Sequence, residues 1–136
     1  MENKLQKEIQ DSVTPFLLRI VAIITLIGGI LGVFFFFSVL FFKIDGSNFS
    51  NYFQYTDVEG IVFKIFLVLQ MLIHSGFSLS AIQLIKQKRI GVYIFIACFM
   101  LFIFSRLYYN SSSLYAEVFS GLVLLLLMMA SWKKLK

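Results

Sequence analysis

Four long apolar runs, separated by short polar segments, dominate the sequence of this 136-residue chain. Each run is close to or longer than the roughly 20 residues that an α-helix needs to cross about 30 Å of hydrocarbon. The sequence therefore predicts an all-α, four-helix transmembrane bundle, antiparallel and up-down-up-down. Its spans are expected at about residues 15–42, 58–85, 90–109 and 114–132.

Composition supports the same class of protein. Apolar residues make up 60% of the chain and charged residues 14%, whereas about a quarter of a soluble domain is charged. Four spans leave no room for a soluble domain, so residues 1–136 are expected to form a single integral membrane domain with the lipid bilayer as its surroundings. The net charge of +5 is explained by topology, and no nucleic-acid partner is expected.

Basic residues lie mostly on one side of the predicted bundle. With both termini cytoplasmic, nine face the cytoplasm and three face outward, which is the bias of the positive-inside rule. The nine are Lys4, Lys7, Arg19, Lys86, Lys88, Arg89, Lys133, Lys134 and Lys136, and the three are Lys43, Lys64 and Arg106.

Local signals mark where the helices begin. Thr14-Pro15 reads as an N-cap followed by proline at the first helical position. The tail before it, Met1 to Thr14, has Leu5, Ile9 and Val13 at intervals of four and is expected to form a short interfacial helix. The segment Thr56–Glu59 matches a capping box for the second span. Ser113 is the expected cap of the fourth span. The first run is too long for a signal peptide, so it is expected to be retained as an anchor.

Glycines in the first span predict a packing face. Gly28 and Gly32 form a Gly-x-x-x-Gly pattern, with Gly29 beside them. Residues without side chains allow another helix to approach closely. The alternative is that glycine is simply common in membrane helices.

Polar residues inside the second span are the main candidates for function. Gln70, His74 and Ser78 repeat at intervals of four and share one helix face. In one interpretation they are interhelical hydrogen-bond partners that hold the bundle together. In the other they form a polar track that binds a ligand or relays protons through His74.

No cofactor, metal site or enzymatic activity is expected. A zinc site needs three or four ligands, and a lone histidine with Cys98 on another helix does not supply them. For nucleophilic catalysis, Cys98 and the serines have no candidate base except His74, and there is no acid to orient it.

A charged pair is predicted at the outer end of the bundle. Asn110 to Ser113 is expected to form the second external turn, and Arg106 lies four residues before it and Glu117 four after it. In an antiparallel hairpin the two reach similar depth and can form an ion pair, with Lys64 extending outward nearby. The alternative for this cluster is an anion-binding mouth.

The segments Phe16–Gly32 and Leu84–Ile94 resemble small four-span bacterial integral membrane proteins that remain uncharacterised. The resemblance implies the fold and a bacterial cytoplasmic membrane, and it carries no active site. Two N-glycosylation patterns, at Asn48 and Asn110, would instead fit a eukaryotic endomembrane if they were used.

The sequence thus predicts a non-catalytic interaction or accessory protein. Its partner would be a second copy of the chain or a larger membrane protein. The alternative is a small transporter or channel component that uses the polar face of the second span.

Overall fold

The computed structural model describes the backbone of residues 2–42, 60–108 and 114–136, and side chains from residue 16 onward within those ranges except that of 134. This part of the chain contains four α-helices and a short 3-10 turn, and no strand. The helices are α1 (Glu2–Phe42), α2 (Ile61–Ile85), α3 (Ile90–Tyr108) and α4 (Leu114–Ala130), followed by the turn Trp132–Lys134. The all-α prediction is confirmed. Several predicted features lie outside the described residues: the capping box, the Ser113 cap and both glycosylation patterns.

Three helices are long and apolar enough to cross a membrane. They comprise Phe16–Phe42 within α1, all of α2 and all of α3. Helix α4 is apolar but has 17 residues, or about 26 Å at 1.5 Å per residue. It ends at Ala130 rather than at the predicted residue 132, because the chain tightens into the 3-10 turn there.

Helix α1 starts well before the predicted position. The Thr14-Pro15 start is wrong, because one helix of 41 residues runs from Glu2 to Phe42. Proline removes one backbone hydrogen bond within a helix. The sequence nevertheless keeps its phase across this point, since the apolar series of the tail continues at intervals of four. That series is Leu5, Ile9, Val13, Leu17 and Val21.

Helix α2 begins at Ile61, three residues later than predicted, with Gly60 as its N-cap. Residues near the end of α1 pack against residues near the start of α2, which makes the two helices antiparallel. Their buried cluster contains Phe36, Val39, Phe63, Phe66 and Leu67. A second cluster at the opposite end joins all four helices and includes Leu18, Leu84, Val92, Met128 and Leu135.

Glycines permit close approach at three helix interfaces. Gly29 and Gly32 lie against α2, and Gly76 lies against the Cys98 sulfur of α3. Gly91 lies so close to α2 that a Cβ there would be 2.9 Å from the Ser80 carbonyl oxygen. A side chain at Gly121 would overlap the Phe99 ring, which joins α3 to α4. Small residues at such contacts are typical of membrane bundles.

The turn between α2 and α3 is hydrogen-bonded to residues 135–136, which follow the 3-10 turn. The Arg89 amide donates to the Lys136 carbonyl at 2.9 Å, and the Lys136 amide donates to the Gln87 carbonyl at 2.7 Å. The Arg89 guanidinium donates to the Leu135 carbonyl at 3.0 Å and lies over the Trp132 ring. These contacts bring the basic residues of the turn and of the segment after α4 to one end of the bundle.

Candidate functional site

All four helices line a cavity of about 320 Å³. Its wall is mostly apolar and includes four phenylalanines, and four polar residues interrupt it. On each helix, one lining residue lies at or next to the midpoint of the apolar segment. These residues are Gly29 on α1, His74 on α2, Phe99 on α3 and Gly121 on α4. The cavity therefore lies at the middle depth of the bundle.

The cavity opens on the side of the bundle. Its exposed lining residues are Ile24 and Gly28 on α1 and Ser120 on α4, whereas Thr25 and Phe95 are buried. The opening is thus flanked by α1 and α4. If these helices are inserted in a membrane, it faces lipid at mid-depth.

Gln70 lies outside the cavity lining and joins α2 to α3. Its side chain is fully buried, and Nε2 donates to the Ser105 hydroxyl at 2.7 Å. Ser105 in turn donates to the Phe102 carbonyl at 2.7 Å, so its hydroxyl can only accept from Gln70. The amide orientation follows, and Oε1 of Gln70 is buried without a hydrogen-bond partner among the described residues.

His74 is the member of the predicted track that lines the cavity. Its Nδ1 lies 2.8 Å from the Gln70 backbone carbonyl. Because a carbonyl only accepts, Nδ1 carries a proton, and in the neutral form of the ring Nε2 keeps an acceptor lone pair. No hydrogen bond reaches Nε2 from the described side chains. Aromatic rings surround the imidazole, with Phe36 at 5.3 Å and Phe77 and Phe102 at 6.0 Å between centroids.

Ser78, the third residue of the track, donates to the His74 carbonyl at 3.2 Å. It lies against Gly29 and does not line the cavity. The three polar residues share a helix face as predicted by their spacing, but each makes a separate local or interhelical contact.

The glycines of α1 that contact α2 differ from the pair predicted by the Gly-x-x-x-Gly pattern. Gly29 and Gly32 contact Ser78 and His74, respectively, whereas a Cβ at Gly28 would meet nothing within 4 Å. The Gly28–Gly32 packing pair is therefore replaced by Gly29 and Gly32, and Gly28 borders the cavity. The physical reason is that α2 packs against the side of α1 from which Gly28 points away.

Arg106 and Glu117 lie together, with Arg106 Nε 3.2 Å from Glu117 Oε2. The Arg106 side chain is 6% exposed and that of Glu117 is 20% exposed. The guanidinium also lies over the rings of Phe102 and Phe36, at 5.0 and 6.0 Å from their centroids. Lys64 is exposed on α2.

Sequence reasoning missed three polar residues at this site. Ser105 receives the Gln70 hydrogen bond, while Thr25 and Ser120 line the cavity. The sequence does contain a signal for these residues, because each is a hydroxyl side chain within an apolar helix. Inserting a hydroxyl into a membrane is costly unless it is hydrogen-bonded. Among the described residues, no group of three metal-ligating side chains comes together.

Comparison with protein-family models, curated proteins and solved structures gave no match.

Proposed function

We propose that this chain is a four-span protein of the bacterial cytoplasmic membrane with both termini in the cytoplasm, and that it acts as a non-catalytic accessory protein. Its partner in this proposal is a second copy of the chain or a larger membrane protein. The collection of basic residues at one end of the bundle supports the orientation. Exposed apolar side chains on all four helices support contact with lipid and with other membrane helices.

One observation carries the preference for an accessory role over conduction. The donor groups of Gln70, His74 and Ser78 are each directed to an acceptor within the bundle. A conduction path needs polar groups that face a continuous aqueous space. The Gln70–Ser105 hydrogen bond joins α2 to α3, and neither residue lines the cavity. This supports a structural role for the polar face.

The orientation is testable by cysteine labelling from each side of the membrane. In a Cys98→Ala background, single cysteines replace Ser47, Ser111 and Gln87. A thiol reagent that cannot cross membranes should label the cysteines at positions 47 and 111 in intact cells. It should label the cysteine at position 87 only after the membrane is permeabilised. The reverse pattern would exclude the proposed topology.

The accessory role is testable by extracting the tagged protein with its surrounding lipid, without detergent, and measuring the mass of the particle. Association predicts a complex larger than one chain, and crosslinking before extraction should preserve it. A particle with one chain under both conditions would contradict the proposal.

The cavity beside His74 favours a second candidate, a transporter component. Proteoliposomes containing the protein would then show proton or solute flux that is abolished by His74→Gln, because glutamine cannot titrate. The accessory proposal instead expects no flux above that of empty vesicles.

A further inference from the structure

We propose that the cavity binds a neutral, lipid-soluble molecule with a hydroxyl group, a phenol or an alcohol, whose hydroxyl donates a hydrogen bond to Nε2 of His74. The apolar part of this molecule would lie against the phenylalanine rings of α2 and α3.

The polar groups of the cavity wall accept hydrogen bonds but have no free proton to donate. The His74 Nδ1–H donates to the Gln70 carbonyl at 2.8 Å. The Thr25 hydroxyl donates to the Val21 carbonyl at 2.8 Å, and the Ser120 hydroxyl donates to the Glu117 carbonyl at 2.9 Å. Each proton is thus held by the helix that carries it, and lone pairs remain for an occupant. A matching occupant must be a hydrogen-bond donor.

The charge on a ligand also matters, because the site distinguishes neutral hydrogen-bond donors from cations. The acidic residue of the lining, Glu117, has its carboxylate within ion-pair distance of Arg106. The guanidinium also lies over the rings of Phe102 and Phe36. A cationic ligand would lose its hydration beside an existing cation, which is unfavourable in an apolar site. The site therefore favours a donor without charge.

Size and wall chemistry define the remainder of the ligand. At roughly 30 Å³ per non-hydrogen atom, the share of a water molecule in the liquid, a cavity of about 320 Å³ holds on the order of ten such atoms. The wall rings are Phe77, Phe95, Phe99 and Phe102. Such surfaces suit an aromatic ring or a short hydrocarbon segment. A longer chain would extend through the opening between α1 and α4.

Entry from the bilayer rests on the proposed membrane insertion, but binding itself does not. Binding is therefore measured on the purified full-length chain in detergent, so that failure of the topology or partner proposals leaves this test unaffected. The probe is 2-naphthol, and its matched control is 2-methylnaphthalene, in which a methyl group replaces the hydroxyl. Fluorescence titrations are corrected for partition of each probe into protein-free micelles.

The expected result is that 2-naphthol binds about tenfold more tightly than 2-methylnaphthalene. A hydrogen bond to an otherwise unpaired buried acceptor has an effect of this order. Equal affinities, or no saturable binding of either probe, would overturn the proposal. His74→Leu should reduce the ratio of the two affinities to about one.

Location is tested with Gly28→Leu. A side chain at Gly28 meets no atom within 4 Å as it leaves the backbone, so the variant should fold and place its leucine in the cavity. We expect at least a tenfold loss of 2-naphthol affinity. Ser78→Ala, a change on the same polar face but outside the cavity lining, should bind like the wild type. Unchanged binding in Gly28→Leu with wild-type thermal stability would place the probe elsewhere and refute the assignment.

Discussion

The imidazole of His74 occupies the space that a side chain at Gly32 would need. A Cβ at this glycine would overlap the ring carbons of His74, and it would lie 2.6 Å from Nε2. The same ring is held by its Nδ1 hydrogen bond to the Gln70 carbonyl. Close approach of α1 and α2 at this level therefore depends on both residues, because the ring has little freedom to move away.

Gly32→Ala should lower the free energy of unfolding by about 1–3 kcal/mol, since extra volume in a packed interior forces side chains or backbone to shift. Gly28→Ala is the matched control. Its Cβ enters open space, and alanine favours a helix over glycine by up to about 1 kcal/mol. Titration with a denaturing detergent should show opposite signs for the two variants. Equal losses would contradict the observed rotation of α1.

Ser105→Ala should destabilise the bundle more than Gln70→Leu does. The first change leaves the buried amide of Gln70 without its partner, at a cost of about 1–3 kcal/mol. The second removes the donor together with Oε1, which has no partner among the described residues, and it retains a large apolar side chain. We expect the double variant to resemble Gln70→Leu. A greater loss in Gln70→Leu than in Ser105→Ala would show that the contact between α2 and α3 is not as described.

Glu117→Gln should lower the free energy of unfolding by about 3 kcal/mol, because it removes one charge of an ion pair in which the Arg106 side chain is nearly buried. Lys64→Gln serves as a control on an exposed cation, and its effect should stay within about 0.5 kcal/mol. Both are measured by thermal unfolding in one detergent. Similar effects of the two changes would argue that the Arg106–Glu117 contact contributes no net stability.

Features that depend on length and local spacing could be predicted from the sequence. Apolar runs close to or longer than about 20 residues indicate the helices, and the short polar segments between them indicate an antiparallel arrangement. Equal spacing of Arg106 and Glu117 from the turn predicts that they pair, and the structure places Arg106 Nε 3.2 Å from Glu117 Oε2.

Features that depend on the rotation of one helix against another could not be predicted in this way. Gly28, Gly29 and Gly32 lie within an arc of about 100° on α1, and only the position of α2 determines which of them are in contact. The choice of Ser105 as the partner of Gln70 likewise depends on the vertical register of α2 and α3. The cavity follows from both quantities, since residues of all four helices line it.

The end of α2 forms a Schellman motif with glutamine at the position that glycine usually occupies. The Lys88 amide donates to the Gln83 carbonyl and the Gln87 amide donates to the Leu84 carbonyl, both at 2.9 Å. Gln87 has φ of 55°, a left-handed conformation that costs an L-residue about 1–2 kcal/mol.

Gln87→Gly should therefore raise the free energy of unfolding by about 1 kcal/mol, because glycine adopts positive φ without the steric cost of a Cβ. The neighbouring Lys86→Gly is the control. Lys86 has φ of −78°, so glycine there adds only backbone freedom to the unfolded chain and should lower stability by up to about 1 kcal/mol. Detergent titration of both variants should give changes of opposite sign. Destabilisation by Gln87→Gly would mean that the glutamine side chain contributes more than its backbone conformation costs.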